Sequence, residues 1–174
     1  MPPPKQYRYG VVTPDEFAGL TGRQAMQAII DGELPHPPIC ETMNLWAVEA
    51  GDGFAAFEGD PGAHLQNPRG AMHGGWALTL IDSVASAAGR TLLPSGVSYV
   101  AVETKGNFTR PITLETGRVR AESRVVSGGR QIITCEAWVR SSKSERVLAH
   151  GTCTLLVLQP AGGSATVTPA AKSA

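Results

Sequence analysis

Residues 67–89 read NPRGAMHGGWALTLIDSVASAAG, a glycine-containing loop that runs directly into an apolar segment. The apolar part, from Trp76 to Gly89, predicts a helix that is hydrophobic on all sides, and such a helix is normally buried. Asp82 is the only ionisable residue of this helix. A buried carboxylate without a partner is costly, so the sequence predicts either a hidden partner for Asp82 or a chemical role.

The composition of the chain is that of one soluble domain. Of its 174 residues, 42% are hydrophobic and 17% are charged, and the formal net charge is zero. This balance argues against nucleic acid or an anionic membrane as a partner. No apolar run reaches the ~20 residues of a membrane span, and the N-terminus lacks the apolar core of a signal peptide, so we expect a cytoplasmic protein.

Neither a disulfide framework nor a metal site is expected from the cysteines and histidines. Cys40, Cys135 and Cys153 are odd in number and contain no CxxC pair, which favours reduced thiols. The histidines have no companions at the spacing of metal ligands.

Proline, glycine and capping residues divide the chain into three parts. Thr13 and Gly32 mark the start and the end of a helical stretch, which predicts an N-terminal helical arm over residues 1–34. The main domain is expected over residues 35–159. Residues 160–174 show no hydrophobic periodicity and are predicted to be disordered.

Six strands are expected, two before the apolar helix and four after it. Their predicted ranges are about 42–49, 53–58, 97–108, 117–126, 131–139 and 147–158. Residues 117–126 alternate between apolar and polar side chains, as in a half-exposed antiparallel strand. The pattern predicts an α+β domain in which an antiparallel sheet wraps around a central helix.

Several motifs occur together in this chain. They are the loop from Asn67 to Gly75, an acid nine residues after His73, the strand end Asn107-Phe108-Thr109-Arg110-Pro111, and Gly128-Gly129-Arg130. This set resembles the hotdog-fold acyl-CoA thioesterases of the phenylacetate-degradation (PaaI-like) group, over roughly residues 35–158. The resemblance implies a hotdog fold and hydrolysis of an acyl-CoA or aryl-CoA without a cofactor. The N-terminal arm lies outside it.

The glycine pair at the predicted helix start is a candidate site for a developing negative charge. The N–H groups of Gly74 and Gly75 would have no intrahelical partner and would lie at the positive end of the helix dipole. The resemblance implies that Gly74 and the side chain of Asn67 polarise the thioester carbonyl, and it places Gly75 beside the substrate. From spacing alone, a turn cap is the better interpretation of Asn67 before Pro68, because this is the usual use of Asn-Pro.

Asp82 lies eight residues beyond Gly74, which is about 12 Å along a helix axis. The two residues are therefore too far apart to act on one carbon atom. Two chains with antiparallel central helices would bring Asp82 of one near Gly74 of the other. The resemblance supports such a homodimer with shared active sites, and a homotetramer of two dimers. Asp82 would act as general base or as nucleophile; alternatively, it forms a structural hydrogen bond or meets Arg90.

Other candidate residues carry two interpretations each. His73 is either a general acid or a loop residue that hydrogen-bonds the backbone. Arg110 and Arg130 are either partners for the phosphates of the substrate or solvated turn residues. Relatives orient the attacking water with a serine or threonine that corresponds to Ala101, and simple strand alternation puts Thr104 on the opposite face.

Two other functions are compatible with this fold. A hotdog hydratase or dehydratase would act on an acyl thioester, but the D-x-N-P-x-H signature of one such branch is absent. A non-catalytic acyl-CoA-binding sensor usually carries a DNA-binding module, for which the arm is too short and insufficiently basic. The sequence therefore favours a thioesterase.

Overall fold

The computed structural model of the chain describes residues 7–158. The helices in this part are α1 (Pro14–Phe17), α2 (Gly22–Asp31), α3 (Pro38–Thr42) and α4 (Gly74–Arg90). The strands are β1 (Leu45–Gly51), β2 (Phe54–Gly59), β3 (Ser98–Phe108), β4 (Val119–Gly128), β5 (Ile132–Ser141) and β6 (Val147–Leu158). Within the described range, no helix combines the length and the apolar character needed to cross a bilayer.

The strands form one six-stranded sheet in the order β1-β2-β4-β5-β6-β3, and every neighbouring pair is antiparallel. The long helix α4 contacts all six strands. This arrangement confirms the predicted α+β hotdog architecture, with two strands before the central helix and four after it.

Close packing holds α4 against the sheet. Leu80, Ile81 and Val84 are fully buried, and burial of each such side chain contributes roughly 1.5–3 kcal/mol. Gly89 lies so near β6 that an added Cβ would come within 2.3 Å of the Cδ1 atom of Leu155. Glycine at this position therefore sets how closely the end of α4 approaches the sheet.

One prediction about α4 is wrong: the helix is not buried on all sides. A stripe of residues on its outer face is only half-buried, namely Thr79, Asp82, Ser83, Ser86 and Arg90. These residues recur at helical spacing, so they share one face. The sheet covers the opposite face, and the polar side chains lie where it does not reach.

The N-terminal arm begins and ends its helices as predicted. Thr13 and Thr21 each form a capping box, at the starts of α1 and α2, which satisfies backbone N–H groups that have no intrahelical partner. Gly32 ends α2 in a left-handed conformation with φ of 83°. Residues of α2 such as Met26 and Ile29 are buried in the same hydrophobic core as α4.

The sequence did not predict α3. A strand was expected from about residue 42, but residues 38–42 form a short helix and β1 begins at Leu45. Pro38 occupies the first turn of α3, where its missing N–H costs nothing. The predicted disorder of residues 160–174 lies outside the described residues.

β3 is an edge strand with an irregularity in its middle. It pairs with β6 on one side only, and Val100 and Val102 are exposed. The register with β6 shifts between Ala101 and Glu103, so that Val102 is an extra residue, as in a β-bulge. The alternation of inward and outward side chains therefore restarts after Val102.

Candidate active site

The loop before α4 is a tight turn built around Asn67. The Oδ1 atom of Asn67 accepts a hydrogen bond from the backbone N–H of Arg69 at 2.8 Å, and the Asn67 backbone N–H donates to the carbonyl of Ala71 at 2.7 Å. Within residues 7–158, the Nδ2 group of Asn67 donates to no protein atom. The turn-cap role is thus present, and it leaves the side-chain N–H groups able to meet a ligand carbonyl.

His73 caps the start of α4. Its Nδ1 atom accepts a hydrogen bond from the N–H of Gly75 at 2.9 Å. This contact requires a ring that is unprotonated at Nδ1, which leaves the proton on Nε2. Because the Gly75 amide is occupied in this way, Gly75 does not offer the free N–H expected from the sequence. The N–H of Gly74 has no partner in the described part of the chain and is the donor that remains.

The two free donors share one cavity. Asn67, His73 and Gly74 line a space of about 330 Å³ together with Phe108 and Arg110. The guanidinium of Arg110 donates to the carbonyl of Val147 at 2.7 Å, which places a cation at the rim of this space. We refer to it below as the Gly74 cavity.

Arg130 does not join that group. It lies in the turn between β4 and β5, and among the described residues it lines neither the Gly74 cavity nor the cavity at Asp82.

Asp82 faces a different space. Its Oδ1 atom accepts a hydrogen bond from the hydroxyl of Thr104 at 2.6 Å, and the Sγ atom of Cys153 lies 3.4 Å from the same hydroxyl. No ion pair joins Asp82 to Arg90 within residues 7–158. The hidden partner predicted for the carboxylate is therefore Thr104.

The placement of Thr104 corrects the prediction made from strand alternation. Ala101 lies opposite the fully buried Leu155, and Thr104 lies opposite the fully buried Cys153, so both face the helix. Strict alternation would place Ala101 and Thr104 on opposite faces of β3, but the extra residue Val102 shifts the register so that both lie on the same face. A threonine hydroxyl thus faces α4 although the position identified from the sequence holds alanine.

A second cavity, of about 270 Å³, contains Asp82 together with Ser83, Ser86, Arg90 and Tyr99. We call it the Asp82 cavity. Its opposite wall is formed by residues of the arm and of α3, including Met26 and Ile29. Burial raises the pKa of Tyr99; the positive charge of Arg90 opposes this effect, and the negative charge of Asp82 adds to it.

The two cavities share no lining residue. One holds the free N–H donors at the start of α4, and the other holds the carboxylate two turns further along. A single protomer therefore presents two separate halves of a site, as the helical rise between Gly74 and Asp82 predicts.

Sequence reasoning named Arg90 as a possible partner of Asp82 and missed two further neighbours, Ser86 and Tyr99. Ser86 lies one turn after Asp82, and Arg90 lies two turns after it, so the i, i+4, i+8 spacing is a signal that identifies both. Tyr99 belongs to another element, and no local pattern connects it to Asp82.

Comparison with known proteins agrees with this geometry. The sequence profile described as "Thioesterase superfamily" matches residues 69–148, which include α4 and most of the later strands. The chain is also similar to the solved structure of conserved protein PA5202 from Pseudomonas aeruginosa. That chain is 32% identical, with a TM-score of 0.65, and the match covers 70% of this chain and 94% of that one. This chain belongs to the thioesterase superfamily.

Two further relatives have names that state a function. This chain is 32% identical to the proofreading thioesterase EntH of Klebsiella pneumoniae over 84 residues, and the match covers 48% of this chain and 60% of EntH. The match thus spans less than two thirds of that curated relative. A variant of the phenylacetic acid degradation protein PaaI from Thermus thermophilus is 28% identical, with a TM-score of 0.61, over 68% of this chain and 97% of that one.

Proposed function

We propose that this protein hydrolyses the thioester bond of an acyl-CoA or aryl-CoA. The observation that carries the proposal is the pair of free donors in the Gly74 cavity, the N–H of Gly74 and the side-chain amide of Asn67. Two such donors stabilise the oxyanion that forms when a thioester carbonyl is attacked. The similarity to named thioesterases supports the same chemistry.

In the proposed reaction the carbonyl oxygen of the thioester binds between Gly74 and Asn67. Asp82 of the partner subunit then takes a proton from water, and the water oxygen bonds to the carbonyl carbon. The C–S bond breaks when the tetrahedral intermediate collapses, and the sulfur takes the proton that Asp82 received from water, so that CoA leaves as the free thiol and Asp82 is again a carboxylate. Direct attack by Asp82, followed by hydrolysis of the resulting anhydride, is the second form of this mechanism.

A dimer is needed because neither cavity of one protomer contains both halves of the site. The exposed edge of β3 supports pairing of two protomers there, since an edge strand presents unpaired N–H and C=O groups. Val102 and Phe108 are 56% and 55% exposed on this strand. Pairing through β3 sets the two α4 helices antiparallel and gives two equivalent sites by two-fold symmetry.

Arg110 is the proposed contact for the CoA moiety. It lies at the rim of the Gly74 cavity, and its guanidinium can form charge-assisted hydrogen bonds to phosphate. Arg130 is the second proposed phosphate contact, from the β4–β5 turn. His73 acts in this scheme by holding the start of α4 and the orientation of the Gly74 amide.

The test is a hydrolysis panel of short, long and aromatic acyl-CoAs, monitored by release of free thiol. We expect turnover by the native protein and a loss of at least roughly a hundredfold in kcat for Asp82→Asn, because the variant lacks the base. The matched control is Asp52→Asn, which makes the same chemical change in an exposed carboxylate paired with Arg23 at 2.8 Å. The control is expected to retain native turnover.

Each other outcome has a defined meaning. Native-like turnover by Asp82→Asn contradicts the proposed mechanism. Binding of acyl-CoA without hydrolysis of any member of the panel contradicts the proposed activity and favours an acyl-CoA sensor.

A further inference from the structure

A cavity larger than both the Gly74 cavity and the Asp82 cavity lies between the N-terminal arm and the end of α4. Its volume is about 680 Å³. Apolar side chains supply most of its wall, including Val12, Phe17, Leu20 and Val97. We call it the arm cavity. A space of this size and composition is typical of a small-molecule pocket.

The arm cavity adjoins the Asp82 cavity. Arg90 and Tyr99 line both cavities, and no other residue is common to the two linings. The outer stripe of α4 runs from Asp82 through Ser86 to Arg90 and forms the floor of this passage. Because Arg90 and Tyr99 border both cavities, an acyl group that starts at Asp82 and follows α4 would reach the arm cavity beside these two side chains.

Arg90 stands at the far end of this path with unused hydrogen-bond donors. Its guanidinium lies 4.2 Å from the centre of the Phe17 ring, and its side chain makes no hydrogen bond or salt bridge with any residue between 7 and 158. Every fully buried side-chain nitrogen in that range has a hydrogen-bond partner. Because the Arg90 nitrogens have none, they are not fully buried, and Arg90 lines both the arm cavity and the Asp82 cavity.

The position of Arg90 has an electrostatic cost. Burial lowers the pKa of Arg90, because a guanidinium loses hydration in these surroundings. Charges in enclosed sites are normally paired. No carboxylate of residues 7–158 forms an ion pair with Arg90, so an anionic group of a ligand can pair with it there, and the apolar walls suit a ligand whose remaining surface is hydrocarbon.

The arm that forms the wall of this space is firmly docked. The N–H of Gly22 donates to the carbonyl of Leu93 at 2.8 Å, and an added Cβ at Gly22 would come within 1.8 Å of the carbonyl oxygen of Arg90. Backbone contact this close fixes the arm against the C-terminal end of α4. The arm cavity therefore lies between the end of α4 and a segment that is anchored to it at Gly22.

We propose that the arm cavity holds the acyl group of the substrate, and that Arg90 binds a carboxylate at the end of that group. The preferred substrate class is then an acyl-CoA whose acyl chain ends in a second carboxylate. This inference rests on the thioesterase function proposed above. It also gives the N-terminal arm a role, as the wall that determines which acyl groups fit.

A purely structural role for Arg90 makes a different prediction. A cation near a helix C-terminus interacts favourably with the helix dipole, and the ring of Phe17 adds a cation–π contact. In that case Arg90 would affect stability and would not discriminate between acyl chains. Substrate pairs that differ only in the terminal group separate the two roles.

The experiment compares adipoyl-CoA with hexanoyl-CoA, and suberoyl-CoA with octanoyl-CoA. We expect the native protein to show a kcat/KM at least about tenfold higher for the dicarboxylic member of at least one pair, because a charge-assisted hydrogen bond is lost with the methyl terminus. Arg90→Met is expected to abolish this ratio, and Arg90→Lys to retain part of it. Arg23→Met, which removes an exposed arginine, is the matched control and is expected to keep the native ratio.

The outcomes separate this inference from the proposed function. Hydrolysis with equal kcat/KM for both members of each pair overturns the role of Arg90 and leaves the thioesterase function intact, and so does a ratio that survives in Arg90→Met. If neither pair is hydrolysed, calorimetric titration of the same four compounds decides. Tighter binding of the dicarboxylic members that depends on Arg90 supports the inference, whereas equal binding overturns it. Circular dichroism confirms that each variant is folded, and Arg90→Gln replaces Arg90→Met if the methionine variant does not fold.

Discussion

The hydroxyl of Thr104 fixes one oxygen of the Asp82 carboxylate. At 2.6 Å the contact is a short hydrogen bond to a charged acceptor, and such bonds contribute about 1.5–3 kcal/mol. Thr104 lines neither the Gly74 cavity nor the Asp82 cavity, and its hydroxyl is bonded to the Asp82 carboxylate, so we assign its effect to the orientation of Asp82. It is therefore a positioning residue in the proposed reaction.

Replacement of Thr104 tests this role. We expect Thr104→Val, which keeps the shape and removes the hydroxyl, to lower kcat by roughly ten- to a hundredfold with little change in KM, because the carboxylate loses its fixed orientation. Thr104→Ser is expected to restore most of the turnover. Steady-state kinetics of both variants with one acyl-CoA provide the measurement, and equal turnover by the valine and serine variants would contradict the assignment.

At the scale of single residues, spacing alone identified Gly74 as a candidate, because a glycine at the start of an apolar helix leaves an N–H group without an intrahelical partner. The proposed role of Asn67 came from the resemblance to thioesterases, since its position before Pro68 alone favours a turn cap. Thr104 was placed on the wrong face because the bulge at Val102 leaves no mark in the alternation of residue types. A position inside a strand is predicted reliably only as long as its register is regular.

At the level of elements, the C-terminal end of α4 packs closely against the sheet. An added Cβ at Gly89 would meet the Leu155 side chain at 2.3 Å. Interiors are packed as densely as organic crystals, so an extra methyl group displaces its neighbours and does not fill free space. The end of α4 carries Arg90, and a shift there is transmitted to the wall of the arm cavity.

Gly89→Ala is expected to destabilise the protein. The added Cβ would overlap the Leu155 side chain at 2.3 Å, and overpacking of a core typically costs about 1–3 kcal/mol. Urea unfolding measures the change in the free energy of unfolding. Gly10→Ala is the matched control, because its Cβ would lie at an ordinary 3.6 Å from Pro35. Equal stability of the two variants would show that the helix moves away from the sheet without cost.

The elements themselves were largely predictable from the sequence. The clear alternation in β4 and the glycine turns around it gave its bounds to within about two residues. The helix α3 was missed because it directly follows the proline-rich residues 35–37 and its five residues are too few to show a helical period. The half-exposed stripe of α4 was missed because threonine and serine do not mark a face as polar when most neighbours are apolar.

For the whole molecule, the separation of the two cavities predicts complementation between variants. Asn67→Ala and Asp82→Asn each remove a different half of the site, so a dimer that contains one chain of each has one intact site. After co-refolding of equal amounts, we expect about a quarter of the native activity, since random pairing makes about half of the dimers mixed and each mixed dimer has one working site of two. The hydrolysis rate of the mixture, compared with each variant refolded alone, is the measurement. No recovery would place both halves of the site in one chain.

The free energy of unfolding at high pH is expected to depend on two buried thiols, those of Cys40 and Cys135, which stay protonated in the folded state. Burial raises the pKa of Cys40 and of Cys135 from 9.0 to about 12. Since the folded state holds these protons more tightly than the unfolded state, their stabilising contribution is complete below pH 9 and is lost as the pH rises from 9 towards 12. Each thiol lowers the free energy of unfolding by at most about 1.4 kcal/mol per pH unit in this window.

Urea unfolding in a reducing buffer at a series of pH values measures this loss. The double variant Cys40→Ala/Cys135→Ala is expected to show a shallower decline between pH 9 and 11 than the native protein, although it is less stable at pH 7. An identical slope in both proteins would mean that the thiols titrate alike in the folded and the unfolded chain.

The unpaired edge of β3 makes the fate of a folded protomer depend on protein concentration, because a second copy is needed to cover this edge. An exposed strand edge with apolar side chains is a template on which other chains aggregate, and Val100 and Val102 lie on this edge. A newly folded protomer therefore exposes this apolar strand edge until a second copy covers it. In the proposed dimer, a protomer gains protection from aggregation and a complete active site in the same encounter.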